Sequence, residues 1–202
     1  MNVGVLISGT GTNLQALLDA EKAGRLAPAN IAVVISNRPG ARGLERASAA
    51  GKPTSVVDHR EYRSREQFEQ AVLERLESHR VEAVVLAGFM RILTPYFIGR
   101  YPDRIINIHP ALLPAFPGLD AQQQAFAHGV KIAGCTVHLV DAAVDHGAIV
   151  LQAAVPVLDD DDEERLRLRI LEKEHDLLPR AVQLLAAGRL RRQGRRVLLM
   201  AE

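Results

Sequence analysis

Asn107 and His109 close the run Arg104-Ile105-Ile106-Asn107-Ile108-His109, which Pro110 terminates. An amide and an imidazole can each donate a hydrogen bond to an oxygen on which negative charge builds, which is what acyl transfer needs. The run is apolar and β-branched, so it reads as a buried strand; side chains alternate along it, placing Asn107 and His109 on one face and Ile106 and Ile108 on the other. Pro110 cannot donate to a sheet ladder, so the strand ends near His109, at the carboxyl rim where open α/β sheets gather ligands. Taken alone, the same residues describe equally well a strand end with a turn-capping asparagine and a satisfied histidine.

A second candidate is Gly9-Thr10-Gly11-Thr12-Asn13, between an apolar strand (Asn2 to Ser8) and a helix from about Asn13 to Gly24 with the stripe Leu14, Leu17, Leu18. A glycine turn there bares backbone N–H groups at a helix start, where the dipole favours an anion. Leu14 stands where a dinucleotide fingerprint wants its third glycine, and no lysine follows as a Walker loop requires. What remains is a cradle for a mononucleotide or sugar phosphate, with Thr10, Thr12 and Asn13 adding donors, or a plain tight turn. Gly88-Phe89-Met90-Arg91-Ile92-Leu93 follows another strand and supplies an apolar group, either the wall of a pocket for a flat ring or core under a loop. Asp145, in the loop Asp141 to Gly147, can be carried back toward His109 or can serve the turn alone, and His146 beside it reads as solvated.

The elements that hold these groups alternate. Strands are expected at Ile31 to Ser36, Pro53 to Val57 and Glu82 to Ala87, with helices at Ala41 to Ala50, Arg63 to His79 and after Pro95. This βαβ rhythm implies a parallel sheet covered on both faces. After a short helix from Ala121 to His128, Ala133 to Val140 and Ala148 to Val157 form a hairpin, making the second half antiparallel or mixed; Gln152 and Pro156 mark the second strand as partly exposed or at an edge. The acidic run Asp159 to Glu164 lacks calcium-loop spacing and precedes an amphipathic helix with Leu166, Ile170, Leu177 and Leu178, so it reads as a solvated helix start and not a metal site. In that helix Glu174 could reach sugar hydroxyls, and Pro179 is expected to kink or end it. The tail with Arg189, Arg191, Arg192, Arg195 and Arg196 has no interleaved aromatics for nucleic acid; it reads as a terminal ribbon with solvated arginines and Val197-Leu198-Leu199 packed inward.

Composition agrees with one α/β domain. The 202 residues are 48% hydrophobic and 24% charged, and Lys+Arg 25 against Asp+Glu 24 leaves +1, which argues for neither nucleic acid nor an anionic membrane. The single cysteine, Cys135, cannot form an internal disulfide and suits a reducing cytosol. No signal-peptide pattern opens the chain and no apolar run approaches the about 20 residues of a membrane span, so a cytoplasmic protein is expected.

Together these segments carry a resemblance. Val5 to Gln15, Leu86 to Leu93, Asn107 to Pro114, Phe116-Pro117-Gly118, Gly134 to His138, Asp145-His146-Gly147 and Glu174-His175 resemble, in order and over nearly the whole chain, the folate-dependent formyltransferases, and among them the glycinamide ribonucleotide transformylases. The resemblance implies a single domain (1–202), with a Rossmann-like, mononucleotide-binding parallel half (1–100) continuing into a mixed sheet that carries the catalytic groups and folate loop (101–202). It implies formyl transfer from 10-formyltetrahydrofolate to the amine of glycinamide ribonucleotide, without metal, by a monomer or homodimer. Asn107, His109 and Asp145 fall on the catalytic positions; Gly11, Thr12, Asn13 and Glu174 fall on substrate contacts. Arg65, Met90, Arg91, Ile92, Leu93, Asn107, Val140, Asp141 and Asp145 fall on folate contacts. Two departures are visible: Ala148 replaces a common proline after the loop, and Leu171 replaces a polar or basic substrate contact.

Overall fold

The computed structural model describes residues 1–201. Its strands are β1 (Asn2–Ile7), β2 (Asn30–Ser36), β3 (Thr54–Val56), β4 (Ala83–Leu86), β5 (Ile105–His109), β6 (Ile132–Leu139), β7 (Ile149–Pro156), β8 (Leu190–Gln193) and β9 (Arg196–Leu199). The helices are α1 (Thr12–Lys22), α2 (Arg42–Ala49), α3 (Arg65–Ser78), α4 (Pro95–Arg100), α5 (Ala121–His128) and α6 (Glu163–Ala186), with one 3-10 turn at His59–Glu61. All nine strands share one sheet in the order β3-β2-β1-β4-β5-β6-β7-β9-β8.

The strands β1 to β5 are parallel, β6 runs antiparallel to β5 and β7, β9 pairs parallel with β7, and β8 runs antiparallel to β9, so the sheet is parallel first and mixed afterwards. After β3 the chain crosses back to set β4 beside β1, and the loops leaving β1 and β4 diverge to opposite faces. That reversal opens a crevice at the carboxyl ends of the strands.

The two faces bury different halves of each strand. Val5 and Ile7, Val85, Ile106 and Ile108 pack with Leu14 and Leu17 of α1 and Ile170 and Leu178 of α6. On the other face Leu6, Val84, Leu86 and Ile105 pack with Phe68, Val72 and Leu76 of α3 and Phe97 of α4. Ile105 lying opposite Ile106 and Ile108 puts Asn107 and His109 on the α3/α4 face, just beyond its apolar cover. Phe97 is fully buried, and truncating such a ring to alanine typically costs about 3–5 kcal/mol.

Two expectations change. The helix α6 does not end at Pro179: it runs to Ala186, with Leu177, Leu178, Ala181, Val182, Leu184 and Leu185 buried on both sides of the proline. Tertiary burial outweighs the one backbone bond and the local clash that proline costs an unsupported helix. The tail does form a ribbon, β8 against β9, but only Leu190 and Val197 reach the core; Leu199 is 45% exposed.

The acidic run is consumed by local structure. The Asp162 side chain caps α6 by accepting from Arg165 N at 2.8 Å, Asp159 pairs with Lys131 at 2.9 Å, and Asp161 holds Arg169 at 2.5 and 2.7 Å. That guanidinium, with the Leu158 amide, draws the Asp161 carboxyl down to about 2. Among the described residues no group of three His, Cys, Asp or Glu side chains is placed to hold a metal ion.

Candidate active site

At the carboxyl end of β5 the structure brings Asn107, His109 and Asp145 into one polar cluster with His138. His109 is 4% exposed. Its Nδ1 lies 3.2 Å from Asp145 Oδ2 and its Nε2 lies 2.8 Å from the Phe116 carbonyl oxygen. Both ring nitrogens therefore face acceptors, an arrangement that imidazolium alone satisfies fully. Burial nevertheless pulls the His109 pKa below its ordinary value, against the upward pull of the Phe116 carbonyl and the Asp145 charge. For Asp145, burial alone would raise the carboxyl; the neighbouring His138, the Gly118 amide and the His109 ring outweigh it, leaving the carboxyl below the usual range.

Asp145 has φ 50°, a left-handed conformation that turns its side chain inward from the loop. Besides His109, its Oδ2 accepts the Gly118 N–H at 2.8 Å. Asn107 Nδ2 lies 3.4 Å from Asp145 Oδ1 and 3.1 Å from His138 Nε2. His138 Nδ1 donates to the Leu139 carbonyl at 3.0 Å, which leaves Nε2 as the acceptor that orients the Asn107 amide. The loop base is tight: a Cβ on Gly147 would sit 1.6 Å from the Leu139 carbonyl oxygen, so only glycine lets the chain return to pair Ala148 O with Leu139 N at 2.9 Å.

His138 is a member of the cluster for which the sequence suggests no role by itself. Its signal was visible: in Cys135-Thr136-Val137-His138-Leu139 the polar residues alternate with apolar ones, and β6 pairs His138 opposite Asn107 and Thr136 opposite His109. The Thr136 hydroxyl donates to Ala111 O at 2.7 Å and accepts from Leu113 N at 3.0 Å. Gln152 donates to Leu113 O at 2.9 Å, so β7, which is not an edge strand but lies between β6 and β9, also fixes the turn that leaves His109.

The apolar group after β4 divides in two. Phe89 and Leu93 are buried in the core, whereas Met90 and Ile92 are 56% and 53% exposed and Arg91 is half-buried. The segment is held from behind: Met90 N donates to Ser8 Oγ at 2.8 Å, and buried Glu69 of α3 accepts from Thr94 N at 2.7 Å and from the Thr94 hydroxyl. Arg65 opens α3 with an exposed side chain. Val140 packs on the α3/α4 side of the core. Asp141 spends its carboxylate inside its own loop, on Ala143 N at 3.1 Å and His146 Nδ1 at 2.9 Å.

The glycine loop begins α1 with Gly11 at φ 72° and no side-chain cap, so the first-turn N–H groups of Thr12 and Asn13 have no capping side chain. Asn13 is not a free donor, contrary to expectation. Its Nδ2 donates to Glu174 Oε2 at 2.6 Å, while its Oδ1 is buried without a partner. Burial raises the Glu174 carboxyl above its ordinary value, opposed by the Asn13 bond. A buried carboxylate beside an unpartnered amide oxygen presents acceptors, which suits hydroxyl donors such as a ribose diol. Grooves of about 830 and 810 Å³ lie on the outer surface of α3 and between α1 and α2, and neither is lined by Asn107, His109 or Asp145.

Comparison with known proteins gives the family. Residues 1–182 match a model of the family described as formyl transferase. The structure of glycinamide ribonucleotide transformylase 1 from Symbiobacterium toebii is similar with a TM-score of 0.97 at 55% identity, covering 100% of this chain and 94% of that one. Phosphoribosylglycinamide formyltransferase of Escherichia coli (strain K12) is 41% identical over 191 residues, 95% of this chain and 90% of that protein. A trifunctional purine biosynthetic protein of Drosophila melanogaster is 50% identical over 187 residues, but the match spans only 14% of its length. The chain spans a minor part of such trifunctional relatives and nearly all of the bacterial one. By sequence and by fold, the chain belongs to the formyl transferase family.

Proposed function

We propose that the chain transfers the formyl group of 10-formyltetrahydrofolate to the amine of glycinamide ribonucleotide. The observation that carries this reading is the joining of Asn107, His109 and Asp145 at the end of β5, in a chain of this family whose full-length bacterial relative has that name. The amine nitrogen attacks the formyl carbon, the carbonyl oxygen takes up negative charge, and the bond from carbon to the folate nitrogen then breaks. Asn107 donates an N–H to that oxygen, aimed by His138, and His109 donates a second from Nε2, which the oxygen shares with the Phe116 carbonyl. Asp145 favours the charged imidazole against the burial that lowers its pKa, and relays the amine proton toward the leaving nitrogen.

The ribonucleotide phosphate rests on the amides of Gly11, Thr12 and Asn13, where the start of α1 favours an anion. Its ribose hydroxyls donate to Glu174 and to Asn13 Oδ1. The folate lies against Met90, Arg91, Ile92 and Leu93 and under the loop from Val140 to Asp145, with Arg65 meeting its acidic end. The single buried thiol, Cys135, fits a cytoplasmic setting.

The test is formyl transfer from 10-formyltetrahydrofolate, followed by the change in folate absorbance, with and without glycinamide ribonucleotide. Turnover that depends on the amine supports the reading; release of formate at the same rate without it overturns it.

A further inference from the structure

The family match stops at residue 182, and the hairpin of β8 and β9 lies beyond it. This is the basic segment expected to carry solvated arginines, and Arg189, Arg192 and Arg195 are bonded instead. Arg195, at the turn of the hairpin, donates from Nη2 to the His146 carbonyl at 2.9 Å and from Nη1 to His146 Nε2 at 2.8 Å. His146 Nδ1 in turn meets Asp141 Oδ2 at 2.9 Å, and Asp141 Oδ1 accepts the Ala143 amide at 3.1 Å. The contacts run in one direction, from guanidinium to imidazole to carboxylate to the loop backbone, and a single tautomer of His146 with hydrogen on Nδ1 serves all of them. His146 immediately follows Asp145, so the carbonyl gripped by Arg195 lies one residue from the carboxylate facing His109.

The hairpin is itself anchored at both ends of this contact. Arg196 pairs with Ile149, at the start of β7, and Arg192 Nη1 donates to Asp103 Oδ1 at 2.6 Å, in the turn that leads into β5. Leu190 and Val197 rest on the core. The arginine thus reaches the loop from a supported element.

We infer that the β8–β9 hairpin is a strap that positions the loop from Val140 to Gly147 for folate, with Arg195 as the positioning residue acting through His146 and Asp141. This rests on the proposed function for its consequence in catalysis, and on geometry alone for the strap itself. An unstrapped loop samples more conformations before folate binds, so the cost of ordering it falls on folate affinity and not on the chemical step. The contacts are partly open to water, with the His146 side chain 56% exposed, so the effect is moderate.

The experiment compares wild type with Arg195→Ala, Arg195→Lys and Arg191→Ala; the last removes the same charge from the same hairpin. Arg195→Ala is expected to raise KM for 10-formyltetrahydrofolate about three- to tenfold, with kcat and KM for the ribonucleotide within about twofold. Arg195→Lys, keeping one donor, should recover part of the loss, and Arg191→Ala should behave as wild type. Amide hydrogen exchange at 140–147 in the unliganded protein should quicken in Arg195→Ala alone among the alanine variants. Unchanged exchange overturns the strap whether or not the protein turns over. Faster exchange with an unchanged folate KM overturns the positioning role, as does an Arg191→Ala effect equal to that of Arg195→Ala. Absence of formyl transfer in the wild type overturns the proposed function and leaves the exchange measurement to decide the strap.

Discussion

The two ends of the crevice are built on different principles. At the start of α1 the groups that face outward are mainly backbone amides, placed by a left-handed glycine and the packing of two helices. At the end of β5 they are side chains, Asn107, His109, His138 and Asp145, each held by another from a separate strand or loop. A backbone cradle is altered only by changing the fold around it, whereas a side-chain cluster can lose one member with the scaffold intact. Substitutions in the two regions should therefore fail in different ways.

The largest effect belongs to the cluster. Asn107→Ala and His109→Ala should each lower kcat by about 10²–10³-fold, the usual consequence of removing one oxyanion donor. Because both serve one charge, the double variant should lose less than the product, and full multiplicativity in single-turnover rates would place them in separate steps. His138→Ala probes the same region from behind: Asn107 loses the acceptor that aims it, so kcat should fall by less than in Asn107→Ala, with both KM values near wild type.

Gly11→Val sharpens the contrast from the other side. Read from the sequence, it should chiefly raise the ribonucleotide KM. In the structure a Cβ on Gly11 would sit 2.6 Å from the Gly43 backbone, at φ 72°, so the α1–α2 contact must move as well. The expected result is a loss of about 2 kcal/mol or more in stability together with the raised KM, read by denaturant unfolding. Asn13→Ala tests the loop without backbone strain: it should raise the ribonucleotide KM and leave the folate KM unchanged. An equal rise in both would return the loop to scaffold.

Asp145→Asn tests the charge inside the cluster. Burial holds the His109 pKa low and Asp145 opposes it; removing the carboxylate lets the pKa fall further. The donor is the protonated imidazole, so activity is present below that pKa and lost above it, and the alkaline limb of the pH–rate profile should move to lower pH. Superimposable normalised profiles, with only a lowered Tm, would assign Asp145 to the turn alone.

The smallest effect is expected from the acidic run. Activity should survive exhaustive chelation, and restoration of lost activity by Mg²⁺ would defeat the metal-free reading. Asp161→Asn should keep activity yet lower Tm near neutrality. The Asp161 carboxyl, held at about 2 in the fold, stabilises the folded state above its unfolded pKa near 3.8, and that advantage is lost as pH falls through 2. The Tm gap between the two proteins should therefore close in strong acid.

Much was legible in the sequence because local rules act within a few residues. Period-two alternation placed Asn107 and His109 on one face of β5, the glycine turn placed the start of α1, and the short link after Val140 required a hairpin. These follow from backbone sterics and from which side chains leave water, and both are written in neighbouring letters. What pairs with what across the sheet is not. His138 became a partner of Asn107 only when β6 settled antiparallel to β5 in one register. The Asn13 amide N–H was taken up by Glu174, 161 positions away. Pro179 stayed helical because burial on both sides outweighed its local cost. Arg195 reached the loop before β7 because the hairpin joined the sheet beside that strand. In each case a residue's local preference was offset by contacts from distant segments, and such contacts exist only once the chain has closed on itself.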